Sequence, residues 1–285
     1  MGTGTNQEQI SYWNEQGGPR WVLRQRQLDA QIQQLGLAAM QKAEVKPAEQ
    51  VLDVGCGCGQ TSLELAQRVS PHGSVLGIDI SHPMLARARD RQHELGVTNL
   101  EFLNTDAQTH RFAPESFDLI FSRFGVMFFA NPLAAFTNLH TALRPKGRLC
   151  FVCWQALDKN AWASVPLKAA MPYLPPLEPS TPGTPGPFAF ADPDRVCRIL
   201  EEAGFIEVRC ESHEAELSTG GAATVEEAVE FSLEIGVVAR LLREAEATVR
   251  ARVVEAVRAA LTPYAKQQGV HLKGAAWIVS AKPSR

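Results

Sequence analysis

No apolar run in this sequence approaches the ~18 to 20 residues of a bilayer-spanning helix. The opening residues Met1 to Asn6 are polar, where a secretory leader would need an apolar stretch. A soluble, cytoplasmic protein without a membrane span is the expectation. Clusters of Lys or Arg are also missing, and a formal net charge of -3 lacks the basic footprint of a duplex binder. No nucleic-acid partner is expected. Cysteine is scarce, with six in 285 residues, too few for a disulfide framework in a chain this long. Cys150 and Cys153 have the spacing of half a zinc site, but in a strand positions i and i+3 point to opposite faces. Buried, reduced thiols are therefore expected, and no metal. What is plentiful is apolar material: 45 % hydrophobic against 21 % charged residues supports a packed core and excludes pervasive disorder.

Between about Glu49 and Trp154, short apolar runs alternate with helical periods, the pattern of βαβ units on a parallel sheet. Strands are predicted at Gln50 to Val54, Val75 to Ile80, Leu100 to Leu103, Phe117 to Ser122 and Gly147 to Trp154. Helices are predicted at Gln60 to Val69, from Ser81 and Pro83 to Gly96, and from Asn131 and Pro132 to Gly147, each with a cap, proline or glycine boundary. A helical segment from about Gln7 to Lys42 precedes them. After the core, Pro172 to Pro187 holds seven of the eighteen prolines and reads as an extended surface loop. Asp192 opens an amphipathic helix that Gly204 closes, Phe205 to Cys210 reads as a sixth strand, and Ala275 to Ala281 as a last one. Thr224 with Glu227 makes a capping box for a helix to about Arg243, and a second helix runs from Thr248 through Leu261.

The chemistry concentrates at Val51 to Gly59, where a strand enters a glycine loop and then a helix. Gly55, Gly57 and Gly59 permit positive φ and close backbone approach. Taken alone, such a loop serves any tight strand-to-helix turn. Asp53 just before it would oppose a pyrophosphate and suits a cationic ligand. Twenty-six residues later, Asp79 ends the next strand, where an acid can accept from both ribose hydroxyls. Asp106 follows the third strand, placed to take an adenine amino group. All three carboxylates fall at C-terminal strand ends, the ligand-binding edge of an open α/β sheet.

The stretch from Val51 to Trp154 resembles the class I S-adenosylmethionine-dependent methyltransferases. Val51 to Gly59 is similar to their first motif, Gly77 to Ser81 to the second, Asn104 to Ala107 to the third and Phe117 to Ser122 to the fourth. Leu143 to Leu149 resembles the turn into the fifth strand, while Ser122 to Phe129 and Tyr12 to Trp21 resemble the group around the ubiquinone and menaquinone biosynthesis methyltransferases. The resemblance implies a Rossmann-like, doubly wound seven-stranded α/β sheet whose last strand, Ala275 to Ala281, inserts antiparallel between the fifth and sixth. It divides the chain into an N-terminal helical lid (1–46), a cofactor-binding core (47–155), a proline-rich cap loop (156–190) and a completion of the core (191–285) with a helical cap insertion at 224–265.

Carried onto this sequence, the resemblance implies S-adenosyl-L-methionine as cofactor. Gly55, Gly57 and Gly59 line its methionine part, Gln60 is counted among the cofactor-binding residues, and Asp53 favours its ammonium. Asp79 holds the ribose, Ile80 and Met84 sandwich the adenine, and Asp106 with Ala107 binds the adenine edge. Ser122 closes the floor under the sulfonium, and Arg123 and Trp21 complete the set. Cys58 departs from the family's usual Thr or Ser. The absence of an Asn-Pro-Pro-Tyr sequence after the fourth strand argues against methylation of DNA or glutamine. Tyr12, Trp13, Phe124, Met127, Phe128, Trp154 and Trp162 are expected to form an apolar pocket for a small organic acceptor, with Phe188 and Phe190 as a roof. In-line transfer needs no dedicated catalytic residue; His82, His110 and His140 are candidate bases by type alone. Two alternatives stay open: a non-methylating or regulatory S-adenosylmethionine-binding protein of the same fold, and an NAD(P)-dependent oxidoreductase, against which Asp53 and Gln60 both argue. The sequence leaves the acceptor, the methylated atom and the oligomeric state undetermined.

Overall fold

A computed structural model describes residues 6–176, 183–221, 224–243 and 245–284. Eight strands form its mixed sheet: β1 (Gln50–Val54), β2 (Ser74–Asp79), β3 (Leu100–Asn104), β4 (Phe117–Arg123), β5 (Leu143–Trp154), β6 (Phe205–Ser218), β7 (Ala265–Lys266) and β8 (Gly269–Pro283). Their order is β3-β2-β1-β4-β5-β8-β6, with β7 hairpinned onto β8. The first five strands are parallel, and β8 runs antiparallel between β5 and β6. The chain leaves β1 towards β2 on one side and returns to β4 on the other. The loops after β1 and β4 therefore meet in a crevice at their C-terminal ends, the switch point of a doubly wound sheet.

Helices cover both faces, which is why the middles of the central strands are apolar on consecutive residues rather than alternating: Leu52, Leu119, Ile120 and Phe121 are all fully buried. The helices are α1 (Gln7–Glu15), α2 (Gly17–Leu23), α3 (Gln25–Lys42), α4 (Gln60–Val69), α5 (His82–Leu95), α6 (Pro132–Ala142), α7 (Ala161–Ala170), α8 (Pro193–Glu202), α9 (Val225–Glu234), α10 (Val237–Leu241) and α11 (Ala247–Leu261). Capping works as the sequence predicts at three of them. The Asn131 side chain accepts from Ala134 N, Asp192 from Asp194 N, and Thr224 and Glu227 form a reciprocal capping box.

Several expectations need correction. The leading helical segment is three helices, and the first break falls where Pro19 has no amide hydrogen to give to Glu15 O and Gly18 is pressed against its neighbours. A Cβ on Gly18 would stand 2.1 Å from Trp13 O and 2.4 Å from Ser81 Oγ. The helix expected to run to Arg243 breaks at Gly236, whose φ of 89° is left-handed. Residues 156–190 are not all loop: α7 lies there and packs with α9, α10 and α11 in a second apolar cluster that includes Leu167, Val229, Val257 and Leu261. Part of the proline-rich stretch, 177–182, falls outside the described residues.

β6 and β8 are far longer than expected. Most of β6 is edge strand with polar, half-exposed side chains, so it carries no apolar alternation to read. Past the end of β5 at Trp154↔Ala276, the β6–β8 ribbon continues to Ser218↔His271, beyond the crevice edge of the sheet. The Cys150 and Cys153 thiols are buried and face opposite ways, towards Ala39 O and Phe190 O. Burial pushes the Cys150 thiol up to about 12.

Candidate functional site

The turn from β1 into α4 is built of left-handed glycines: φ is 68° at Gly55, 56° at Gly57 and 81° at Gly59. What they approach closely is protein. A Cβ would meet Gly125 Cα at 2.7 Å from Gly55, Met84 Cε at 2.8 Å from Gly57, and the Ala88 and Phe102 side chains at 2.9 Å from Gly59. The loop is thereby pulled down onto the β4 turn on one side and onto α5 on the other. Gly55 N and Cys56 N both donate to Ile78 O, at 2.8 and 3.0 Å, which holds the loop against the end of β2.

Asp53 lies beneath this loop and is fully buried. Its Oδ2 accepts from Thr61 Oγ1 and Ser62 Oγ, both at 2.6 Å, while its Oδ1 has no protein donor. Burial raises the carboxyl's pKa and the Ser62 and Thr61 hydroxyls work against that rise. A buried acceptor without a donor is costly, so this oxygen is a fitting place for an ammonium or a water that carries one.

Asp79, at the end of β2, accepts from Gly57 N at 2.9 Å on Oδ2 and from Ser81 N at 2.8 Å on Oδ1. Each oxygen keeps a second lone pair for a ligand hydroxyl. Burial raises its pKa to about 6, against the backbone donors of Ser81 and Gly57. Ile80 follows it half-buried, and Met84 is buried against the loop. After β3, Asp106 accepts from Gln108 N at 2.9 Å and Gln108 Nε2 at 3.2 Å, beside the buried Ala107. The three acids thus stand along one sheet edge.

Ser122 and Arg123 are engaged by protein. Ser122 Oγ donates to Val54 O at 2.7 Å and accepts from Gly125 N at 3.2 Å, tying the ends of β1 and β4 together. Arg123 turns under the loop, donating to Gln60 Oε1 and, at 3.3 Å, to Asp29 Oδ1 of α3. The sequence reading missed Asp29. It also missed Arg91, which joins Asp29 at 3.1 Å, and Asn14, which clips α1 to the turn after β2. Asn14 Nδ2 donates to Ile80 O and its Oδ1 accepts from His82 N, both at 2.9 Å. No local motif marks these residues, and the bonds that join them to Arg123, Asp29, Ile80 and His82 span more than sixty positions in sequence.

The aromatic residues fall into two groups. Trp13 contacts Tyr12, Trp21 and Phe128 edge-on, with ring centroids 5.4, 6.0 and 5.0 Å away, which seats α1 and α2 over the β4 turn. Phe124 is stacked on Trp154 at 4.2 Å, and Trp162 tilts against Trp154 at 4.9 Å. Phe124 holds a left-handed φ of 61°, unusual for a residue with a side chain, and Met127 is buried nearby in the same turn. Phe190 is no roof: it is 1 % exposed and packs with Phe136 and Phe151 in the main core. His140 is also displaced from the crevice, packing on Phe205 where β6 starts, at the opposite edge of the sheet. His110 packs edge-on against Phe112.

Residues 51–147 match the family model of the methyltransferase domain. The chain is 31 % identical over 142 residues to aklanonic acid methyltransferase DauC of Streptomyces sp. (strain C5), covering 50 % of this chain and 60 % of that one. It is 30 % identical to nocamycin O-methyltransferase of Saccharothrix syringae, covering 59 % and 63 %. The chain thus spans about three fifths of the length of these relatives. In fold it is similar to YcgJ of Bacillus subtilis, with a TM-score of 0.56 at 17 % identity over 88 % of this chain and 98 % of that one. Residues 51–147 thus match a methyltransferase domain, and the strand order and the acids at the sheet edge are similar to those of the class I S-adenosylmethionine-dependent methyltransferases.

Proposed function

We propose that the chain transfers the methyl group of S-adenosyl-L-methionine to a small, largely apolar organic acceptor by direct in-line displacement. The observation that carries this reading is Asp53 Oδ1, a buried acceptor beneath the glycine loop that lacks a donor of its own. The cofactor supplies a methyl group already activated on a sulfonium. The chain's residues then have to bind, orient and keep water out. Asp53 serves the ammonium, Asp79 the ribose, and Ile80, Met84, Asp106 and Ala107 the adenine. Ser122, Gln60 and Arg123 act through the loop, because their polar atoms are engaged within the protein. The stacked Phe124 and Trp154 with Trp162 give the acceptor an apolar wall, and Trp13, Tyr12, Trp21 and Phe128 exclude water from the lid side. Orientation of this kind is worth about 7 to 11 kcal/mol of effective molarity, so no general base is required. The likeness to proteins named for methylating aklanonic acid and nocamycin supports a small-molecule acceptor.

The test is incubation with S-adenosylmethionine and a panel of phenols, quinols, amines and sugars, following S-adenosylhomocysteine and a one-methyl mass gain. Turnover with an apolar ring compound is expected. Tight cofactor binding without turnover on any acceptor would favour a non-methylating user of the fold.

Cofactor affinity should depend on pH through Asp79. Ionised, its carboxylate accepts from two hydroxyls; protonated, it loses one of those acceptors. Hydroxyl donors favour the ionised form and lower its pKa below the value of about 6 in the free protein. Binding therefore expels a proton at acid pH, and affinity falls as pH drops through about 6, by at most about tenfold per pH unit. Calorimetric titration with S-adenosylhomocysteine across that range measures it; a flat profile would show that Asp79 does not change protonation on binding.

A further inference from the structure

Asp29 lies on α3, outside every motif of the domain, and is only 6 % exposed. Its Oδ1 accepts from Arg123 Nη2 at 3.3 Å, and its Oδ2 from Arg91 Nη1 at 3.1 Å and from Gln25 Nε2. Each guanidinium also holds the glycine loop. Arg91 Nη1 donates to Cys58 O at 2.8 Å, and Arg123 Nη1 to Gln60 Oε1, the two residues that flank Gly59. Arg123 is close enough to Asp53 for the two charges to sense each other. Of the other cations on α5, Arg87 is paired with Glu94 at 3.0 Å and Arg89 donates to Phe102 O at 2.9 Å.

Two guanidiniums, Arg91 and Arg123, and three carboxylates, Asp29, Asp53 and Asp79, thus surround one loop. The balance is one negative charge when all three acids are ionised. S-adenosylmethionine carries one net positive charge, from its sulfonium, with its ammonium and carboxylate cancelling. S-adenosylhomocysteine, its thioether product, carries none. We propose that Asp29 is a positioning and charge-setting residue that, through Arg91 and Arg123, makes the cradle prefer the sulfonium cofactor over the thioether product. This rests on the reading of the glycine loop as the cofactor cradle. Without Asp29 the balance becomes neutral and the Arg91 and Arg123 guanidiniums lose their shared counter-ion.

The experiment compares dissociation constants for S-adenosylmethionine and S-adenosylhomocysteine in the wild type, Asp29→Asn and Arg91→Gln, by calorimetry at low salt and neutral pH. In Asp29→Asn the ratio of the S-adenosylmethionine constant to the S-adenosylhomocysteine constant should rise roughly tenfold, as for the loss of one partly screened unit charge. In Arg91→Gln, which removes a cation instead, the ratio should fall. A purely structural latch would weaken both ligands alike, so an unchanged ratio in Asp29→Asn overturns the proposal. Should circular dichroism show that Asp29→Asn does not fold, Arg91→Gln decides alone: a lowered ratio supports the proposal and an unchanged one overturns it. A wild type that binds neither ligand overturns the cradle reading and this proposal together. Wild-type binding with an unchanged ratio overturns this one only.

Discussion

Asp79→Ala is expected to weaken binding of S-adenosylmethionine and of S-adenosylhomocysteine by at least about a hundredfold while leaving the circular dichroism spectrum unchanged. A hydrogen bond to a charged group contributes about 1.5 to 3 kcal/mol, and this carboxylate offers one free lone pair on each oxygen. Two ribose hydroxyls are therefore worth about 3 to 6 kcal/mol, and about 2.7 kcal/mol already amounts to a hundredfold. The substitution also strips the acceptor from Gly57 N and Ser81 N, so the loop and the turn after β2 lose the side chain that holds both. Asp79→Asn should fall in between: its amide oxygen still accepts, but its amino group meets a backbone N–H. Calorimetry with S-adenosylhomocysteine reads both variants. Unchanged affinity in Asp79→Ala would remove this residue from the cofactor site.

Gly55→Ala is expected to be the most damaging single methyl group in the crevice. The new Cβ would lie 2.7 Å from Gly125 Cα, a backbone atom that no rotamer change can move aside. The left-handed φ of 68° adds about 1 to 2 kcal/mol for a residue with a Cβ, and overpacking a further ~1 to 3 kcal/mol. Together these predict a loss of about 2 to 5 kcal/mol, or a Tm lowered by roughly 5 to 15 °C in a domain of this size. Relief requires the ends of β1 and β4 to part, which breaks the bond from Ser122 Oγ to Val54 O and spoils the cradle as well. Gly96 is the internal control: its φ is 64°, but nothing lies within 4 Å of its Cβ position. Gly96→Ala should therefore carry only the conformational cost of about 1 to 2 kcal/mol. Equal Tm losses in the two variants, read by calorimetric unfolding, would show that the contact with Gly125 contributes nothing.

Much of the core was legible because its determinants are contiguous. The strand ends at Val54, Asp79 and Asn104, each within one residue of its expected place, the glycine turn, and the capping box at Thr224 and Glu227 are each local patterns of a few residues. Legibility failed where structure depends on a partner from elsewhere. α7 carries Pro166 and follows a run of irregular residues, and it is held as a helix by packing on α11 rather than by propensity. β6 runs eight residues past its expected end because β8 pairs with it, not because its glutamates favour a strand. The roles expected of Ser122 and Arg123 shifted for the same reason. Both were placed at the right strand end, but which groups they face is set by Val54, Gly125, Gln60 and Asp29 in space.

The sequence by itself determined the doubly wound order, the glycine turn and the row of acids at the strand tips, because hydrophobic period, φ preference and strand-end position act over a few neighbouring residues. Only the tertiary structure decided the charge of the crevice. Asp29 meets Arg123 from ninety-four positions away and Arg91 from sixty-two, and electrostatic energy depends on distance in space, about which the order of residues along the chain is silent.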